Sequence, residues 1–192
     1  MRIGVLASGG GTNLQAILDA DLPVTVVLAD RPGAGALVRA ERAGVDTAVV
    51  DRAAHLPDRL AFTDAVVDAL GEYEVDLVAM AGFMTILEKP IFDVFAGRVL
   101  NTHPSLLPAF RGARAVEDAL EAGVKVTGCT IHIAIPEVDA GPILAQEAVE
   151  VLDDDTTDVL HERIKEVERR LYPEVLARVV AEGTTGFDDS SR

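Results

Sequence analysis

The chain of 192 residues has no tryptophan and one cysteine, and aromatic residues make up only 4% of it. A single cysteine cannot form a disulfide bond within the chain, so we expect a cytoplasmic protein. That cysteine, Cys129, lies in an alternating apolar stretch and is predicted to be a small buried residue rather than a catalytic thiol. Apolar residues still make up 49% of the chain, enough for the core of one α/β domain.

Basic residues are also scarce. There are 17 lysines and arginines against 32 acidic residues, which gives a formal net charge of −15. A surface with this charge repels a phosphate backbone and predicts no nucleic-acid partner. Long uncharged apolar runs are missing as well, and the apolar part of "MRIGVLASGG" is too short for a signal peptide. We therefore expect no membrane partner.

Short apolar runs alternate with helical patterns along the first two thirds of the chain. The predicted buried strands lie at 2–7, 23–29, 46–50, 75–81 and 97–103, and the predicted helices lie near 12–20, 34–43, 58–71 and 113–122. Repeated strand–helix–strand units predict a single α/β domain of Rossmann-like type. Its twisted sheet would be mostly parallel, with helices on both faces and ligand sites at the carboxyl ends of the strands.

The pattern changes from about residue 125. "VTGCTIHIAI" and "PILAQEAVEV" are predicted as two strands around the turn-rich "PEVDAG", and they could pair antiparallel at one side of the sheet. A long helix begins near residue 156, with Thr156 or Thr157 as its N-cap and an apolar stripe along one face. We expect one domain over residues 1–183 and a flexible C-terminal tail over 184–192.

Three consecutive glycines, 9–11, separate the first predicted strand from the first helix. A dinucleotide loop needs a further glycine where Leu14 stands, although Asp30 lies where an acid for the ribose hydroxyls is expected. A P-loop is excluded because no Gly-Lys-Ser/Thr follows. The N–H groups at a helix start favour an anion, so the loop with Thr12 and Asn13 predicts a small phosphate site. The alternative is a tight turn capped by Thr12 or Asn13, with no ligand.

A second group of polar residues follows the fifth predicted strand, in "RVLNTHPSLLP". The period of two places Asn101 and His103 on the same face of that strand end. An amide and an imidazole in this position can polarise a carbonyl group and stabilise an oxyanion. Asp139, in "PEVDAGP", is a candidate partner, because a nearby carboxylate favours the imidazolium form of His103 and makes it a better acid. The alternatives are a structural histidine and an ordinary turn aspartate.

Metal binding is a competing use of His103, Asp139 and His132. No pair of them has the spacing of an established zinc site, so the sequence predicts no metal. His132 lies on an alternating strand and could equally be a packed residue.

Together, "SGGGTNLQAI", "AGFMTIL", "LNTHPSLLPAF", "VDAGPILAQ" and "HERIKEVERRLYP" closely resemble the folate-dependent formyltransferase superfamily. The glycine loop followed by Thr-Asn-Leu is similar to that of its phosphoribosylglycinamide branch. The resemblance covers nearly the whole chain and implies the formyltransferase fold. It also implies an enzyme of purine biosynthesis that transfers a formyl group from 10-formyltetrahydrofolate to the amine of 5-phosphoribosylglycinamide, without a metal.

The resemblance implies a catalytic role for each member of the polar group. Asn101 would hold the formyl oxygen. Protonated His103 would stabilise the oxyanion and donate a proton toward the leaving folate nitrogen. Asp139 would favour the charged form of His103 and help to order a water molecule for proton transfer.

The resemblance also implies two sets of binding residues. Those for phosphoribosylglycinamide are Gly11, Thr12, Asn13, Lys165 and Glu168. Those for 10-formyltetrahydrofolate are Arg59, Met84, Thr85, Ile86, Leu87, Asn101, Ile135 and Asp139. We expect small-molecule substrates only, and a monomer or a homodimer.

Three residues depart from the expected pattern. Thr85 stands where an arginine is often found, Lys165 replaces a neutral amide, and Arg111 in "FRGARA" replaces a proline. Phe-Arg-Gly resembles the methionyl-tRNA formyltransferase branch, which normally has an additional basic domain for tRNA. Formyltetrahydrofolate deformylase normally has an additional N-terminal domain, and we expect neither addition here. A non-catalytic nucleotide-binding or NAD-dependent module would use the glycine loop but would leave Asn101, His103 and Asp139 unexplained.

Overall fold

The computed structural model describes residues 1–186, and residues 187–192, most of the predicted tail, lie outside the described residues. One seven-stranded sheet forms the centre of the fold. Its strands are β1 (Ile3–Ala7), β2 (Val24–Ala29), β3 (Asp46–Val49), β4 (Leu77–Met80), β5 (Val99–His103), β6 (Val126–Ile133) and β7 (Ile143–Glu150). They lie in the order β3-β2-β1-β4-β5-β6-β7. The first five are parallel, and β6 and β7 are antiparallel to their neighbours, which confirms the predicted mostly parallel sheet and its antiparallel pair.

Helices cover both faces of the sheet, as predicted. They are α1 (Thr12–Asp19), α2 (Gly35–Arg42), α3 (Arg52–His55), α4 (Arg59–Glu72), α5 (Lys89–Val94), α6 (Ala115–Glu121) and α7 (Thr157–Glu182). One core packs α1, α2, α6 and α7 against the sheet, and a second core packs α4 and α5 against the opposite face. Within residues 1–186, no helix is long and apolar enough to span a membrane.

The two shortest helices, α3 and α5, were not predicted from the sequence. They have four and six residues, which is too short for a helical period of apolar residues to be recognised. Local chemistry forms them instead. The Asp51 side chain accepts a hydrogen bond from the Ala53 N–H at 3.0 Å and caps α3, and α5 has a proline, Pro90, in its first turn.

The long helix α7 is fixed at both ends and in the middle. Thr156 caps it by accepting a hydrogen bond from the Val159 N–H at 3.3 Å, and Gly183 ends it with a φ of 68°. In between, the fully buried Tyr172 hydroxyl donates to the Leu100 carbonyl of β5 at 2.9 Å. This hydrogen bond holds α7 against the strand that ends in Asn101 and His103.

We predict that Tyr172→Phe lowers the free energy of unfolding by about 1 kcal/mol, because it removes a buried hydrogen bond and keeps the ring. Urea unfolding would measure the change. Tyr73→Phe is the matched control, since the half-buried Tyr73 has no side-chain hydrogen bond within residues 1–186. An equal effect of the two substitutions would contradict the role given to the Tyr172 hydroxyl.

Candidate active site

The glycine loop between β1 and α1 is held by α2. Gly11 has a φ of 74°, and a Cβ atom there would lie 2.8 Å from the Ala36 Cα, so both the backbone conformation and the space require glycine. The Ala36 N–H donates to the Gly9 carbonyl at 3.1 Å. The Arg39 Nε donates to the Gly10 carbonyl at 2.7 Å. These contacts give the loop one defined shape.

The start of α1 has no side-chain cap. Its N-cap residue is Gly11, and neither the Thr12 nor the Asn13 side chain caps the helix. The alternative interpretation, a tight turn capped by one of these two side chains, is therefore wrong about the cap. The Asn13 Nδ2 instead donates to the Glu168 Oε2 at 3.0 Å. The first N–H groups of a helix have no intrahelical acceptor, and an anion is a suitable partner for them.

Glu168 joins this helix start to β5. It is only 5% exposed and accepts hydrogen bonds from Asn13 and, at 3.0 Å, from the Thr102 Oγ1. The Asn13 Oδ1 is buried without a hydrogen-bond partner among the described residues. A buried polar atom without a partner is costly, and a polar ligand next to Asn13 would supply the missing donor. The structure thus brings together Asn13 and Glu168, two of the residues predicted to bind the phosphorylated substrate.

Lys165 lies one turn before Glu168 on α7. Its ammonium group is 3.6 Å from the Glu162 Oε2, and its side chain is 33% exposed. The lysine therefore has a weak, solvent-exposed ion pair that a stronger anion could replace.

The end of β5 carries the predicted catalytic residues. The Asp139 Oδ2 lies 3.3 Å from the His103 Nδ1, so the loop after β6 brings this carboxylate to the histidine. Asn101 lies two residues earlier and is directly opposite His132 in the antiparallel pairing with β6. Asn101, His103 and Asp139 therefore form one cluster, although 38 positions separate the first from the last.

Both ring nitrogens of His103 face acceptors. The Nε2 lies 2.8 Å from the Phe110 carbonyl oxygen, and the Nδ1 faces Asp139. A neutral imidazole has one N–H and can donate to only one of them, whereas an imidazolium donates to both. His103 is 4% exposed, so water cannot readily replace either acceptor. His103 is thus held by acceptors on both sides of its ring.

Asp139 is held in an uncommon backbone conformation, with a φ of 54°. Its Oδ2 accepts a hydrogen bond from the Gly112 N–H at 2.8 Å. Burial alone would raise the pKa of Asp139, but the contact with His132, the Gly112 N–H and the nearby charge of His103 together lower this pKa below its ordinary value of 3.8. Asp139 therefore stays a carboxylate beside His103.

His132 belongs to the same cluster and was not assigned to it from the sequence. It is 1% exposed, and its Nε2 lies 3.2 Å from the Asn101 Nδ2 and 3.6 Å from the Asp139 Oδ1. Its Nδ1 lies 3.1 Å from the Ile133 carbonyl oxygen, so the Nε2 is the ring nitrogen shared between the Asn101 amide and the Asp139 carboxylate. The alternation of β6 was visible in the sequence, but its register against β5 was not.

The three candidate metal ligands, His103, His132 and Asp139, thus converge. Even so, no group of three or more histidine, cysteine, aspartate or glutamate side chains within residues 1–186 is arranged to hold a metal ion. Burial, with a contribution from Glu168, raises the pKa of Cys129 to about 12, so its thiol stays protonated. This agrees with the structural role predicted for Cys129.

The predicted folate segment, 84–87, alternates between solvent and interior. Met84 and Ile86 are 74% and 49% exposed, whereas Thr85 and Leu87 are 7% and 5% exposed. The Leu87 side chain packs in the core around α4, so only its backbone can face a ligand. The Thr85 side chain points to Asp30 at 2.6 Å, which leaves Met84 and Ile86 as the apolar side chains available to a ligand.

A cavity of about 190 Å³ lies beside this segment, and one of about 300 Å³ adjoins it. The first is lined by Arg52, His55, Leu56, Asp58, Arg59, Phe62, Met84, Thr85 and Ile86. The guanidinium groups of Arg31, Arg52 and Arg59, which line the two cavities, make no hydrogen bond or ion pair within the described part of the chain. Unpaired arginines in so acidic a protein favour an anionic ligand.

Two loops close over the other side of the cluster. Ile135 is half-buried where the loop after β6 begins, and the loop continues to Asp139. Arg111, one of the departures from the expected pattern, forms an exposed ion pair with Glu137 at 3.5 Å. This pair links the loop after β5 to the loop that carries Asp139.

The fold is that of the formyl transferases. The formyl transferase family matches residues 1–176, and the chain belongs to this family. The structure of glycinamide ribonucleotide transformylase 1 from Symbiobacterium toebii superposes with a TM-score of 0.90 at 52% identity, over 95% of this chain and 88% of that one.

Curated relatives carry related names. Phosphoribosylglycinamide formyltransferase of Mycobacterium tuberculosis is 48% identical over 189 residues, which cover 96% of this chain and 87% of the relative. The trifunctional purine biosynthetic protein adenosine-3 of Gallus gallus is 42% identical over 198 residues and all of this chain. The chain spans only 20% of the length of that trifunctional relative.

We predict that the stabilising effect of Asp139 depends on pH in a defined direction. Because the folded pKa lies below the ordinary value of 3.8, the carboxylate stabilises the folded state fully above that pH, and the effect is lost as the pH falls through the folded pKa. The difference in unfolding free energy between the wild type and Asp139→Asn should therefore shrink on acidification below about pH 4.

Urea unfolding at a series of pH values would measure this difference. Asp64→Asn, at an exposed position of α4 without an ion pair among residues 1–186, is the control for general charge removal. A difference that grows on acidification would contradict the direction of the Asp139 pKa shift.

Proposed function

We propose that this chain transfers the formyl group of 10-formyltetrahydrofolate to the amine of 5-phosphoribosylglycinamide, giving formylglycinamide ribonucleotide and tetrahydrofolate. The observation that carries the proposal is the cluster at the end of β5, where Asn101, His103 and Asp139 lie beside a helix start suited to an anion. Membership of the formyl transferase family and the names of the relatives support it.

The phosphorylated substrate would bind at the start of α1. The N–H groups after Gly11 would take its phosphate, with the charge of Lys165 nearby on α7. Asn13 and Glu168 would contact its polar groups, since the free Asn13 Oδ1 needs a donor and Glu168 is a buried acceptor. Thr102 joins Glu168 to β5, so a substrate held there lies next to the strand that carries Asn101 and His103.

The folate would bind on the other side of β5. Met84 and Ile86 offer apolar surface to a flat ring system, and the backbone of segment 84–87 offers hydrogen-bonding groups to its edge. Ile135 and the loop to Asp139 would close the opposite side. The first cavity would take the acidic tail, with the Arg59 guanidinium as a partner for a carboxylate. The residues present therefore fit the proposed formyl donor.

The chemistry follows from the donors at the site. The substrate amine attacks the formyl carbon, a carbon–nitrogen bond forms, and negative charge develops on the formyl oxygen. The Asn101 amide would stabilise this charge more strongly than the neutral carbonyl. The His103 Nε2–H would do the same once it turns from the Phe110 carbonyl oxygen to the formyl oxygen. The bond between the formyl carbon and the folate nitrogen then breaks. That nitrogen gains one proton while the attacking amine loses one, and Asp139 keeps His103 ready to donate.

The direct test is an absorbance assay with 10-formyltetrahydrofolate and 5-phosphoribosylglycinamide. We expect tetrahydrofolate to form only when the amine is present. His103→Ala should lower kcat by about 10²-fold to 10⁴-fold in a protein that still folds, because it removes the proton donor.

The same assay separates the alternatives. Turnover with water and no amine would favour a deformylase. A wild-type protein without turnover that binds NAD would favour a nucleotide-binding module, and full activity in His103→Ala would remove the role of this residue.

We also predict that Lys165→Gln raises the KM for phosphoribosylglycinamide about threefold to tenfold, because it removes a positive charge near the phosphate. The KM for the folate should not change. Lys125→Gln is the matched control, since Lys125 pairs with the exposed Asp153 at 2.5 Å and has no assigned part in binding. If both variants gave the same KM as the wild type, Lys165 would lie outside the substrate site.

A further inference from the structure

A buried carboxylate lies under the proposed folate segment. Asp30, directly after β2, is 4% exposed, and its Oδ2 accepts two hydrogen bonds. The Ser8 hydroxyl donates at 2.8 Å and the Thr85 hydroxyl at 2.6 Å. Ser8 and Thr85 are themselves only 6% and 7% exposed. Asp30 therefore joins three elements, the ends of β1 and β2 and the segment after β4, through one oxygen atom.

Ser8 extends this connection along the segment after β4. Its hydroxyl accepts a hydrogen bond from the Met84 N–H at 2.9 Å, and its own N–H donates to the Gly82 carbonyl at 3.1 Å. Together with the Thr85 hydroxyl, these contacts hold the segment at Gly82, Met84 and Thr85. The consequence is the alternation of the segment, with Thr85 turned inward and Met84 and Ile86 turned outward.

Asp30 occupies the position at which a dinucleotide-binding fold places an acid for ribose hydroxyls. Here the oxygen that such a role would need already accepts from two protein hydroxyls. The other oxygen, Oδ1, is buried and has no hydrogen-bond partner within residues 1–186. The two hydrogen bonds at Oδ2 direct the action of this oxygen toward the protein rather than toward a ligand.

We infer that Asp30 is a positioning residue for folate binding, which acts through Ser8 and Thr85 on the segment 82–87. The inference rests on the proposed function. It gives Thr85 a role that the resemblance did not contain, because the hydroxyl of Thr85 anchors the segment from below and Met84 and Ile86 provide the contacts above it. Loss of the hydrogen bond between Thr85 and Asp30 frees the segment and weakens folate binding. The phosphate site at the start of α1 keeps the contacts that Ala36 and Arg39 make with the glycine loop.

The first test compares Thr85→Val with Thr85→Ser. Valine keeps the shape of threonine but removes the donor, and serine keeps the donor. Thr85→Val should raise the KM for 10-formyltetrahydrofolate about fivefold to thirtyfold, because the buried Asp30 Oδ2 loses one of its two donors and the segment loses its direct link to Asp30. The KM for phosphoribosylglycinamide should stay within about twofold. Thr85→Ser should restore most of the folate affinity.

The second test compares Asp30→Asn with Asp30→Ala. An amide oxygen in place of Oδ2 can accept from both hydroxyls, so Asp30→Asn should keep the KM for the folate within about threefold of the wild type. Asp30→Ala removes the acceptor and should raise this KM at least as much as Thr85→Val. Equal impairment of the two Asp30 variants would show that the charge acts on a ligand and would overturn the positioning role.

A binding measurement separates positioning from stability. Calorimetry with tetrahydrofolate should show the same loss of affinity for Thr85→Val, and urea unfolding reports any loss of stability on its own. A lower unfolding free energy with an unchanged folate KM would overturn the inference. Absence of turnover in the wild type would instead refute the proposed function, so the two failures are distinguishable.

Discussion

The alternation of side chains along β5 is the constraint on which the site depends. Successive residues of a strand point to opposite faces, so Thr102 reaches Glu168 on α7 while Asn101 and His103 reach the cluster with Asp139 on the other face. One strand end therefore joins the proposed phosphate side to the proposed folate side. The Tyr172 hydrogen bond to Leu100 holds α7 at this strand, which fixes the separation between the two sides.

Buried polar groups at this edge fall into two kinds. Glu168, Asp30 and Asp139 accept hydrogen bonds from within the protein and so are fixed in place before any ligand arrives. Asn13 keeps one buried oxygen unpartnered, and the unpaired arginines at the cavities keep their charge. Fixed acceptors beside free binding groups are the arrangement expected of a largely preorganised site.

Most of the fold could be predicted from the sequence, because β1, β2, β5 and the long helix α7 have clear apolar periods. The short helices α3 and α5 could not, since they depend on an aspartate cap and a proline rather than on a period. Asn101 and His103 could be paired from strand periodicity alone. Asp139 could be proposed only as a candidate, because a loop after an antiparallel strand has no position until its register is known. His132 was missed for the same reason.

Thr85 is a residue whose role the motif resemblance did not predict. Its position in the segment implied a contact with the folate, but its hydroxyl donates inward to Asp30. Thr85 borders the cavity only as a mostly buried residue between the exposed Met84 and Ile86. Asp30 shows the converse, since its place after β2 suggested a ribose contact and its oxygen is used by the protein. Both residues lie on the sheet edge that forms the site. The direction of the side chain decides whether such a residue contacts a ligand or supports a neighbour that does. Neither composition nor motif spacing predicts that direction.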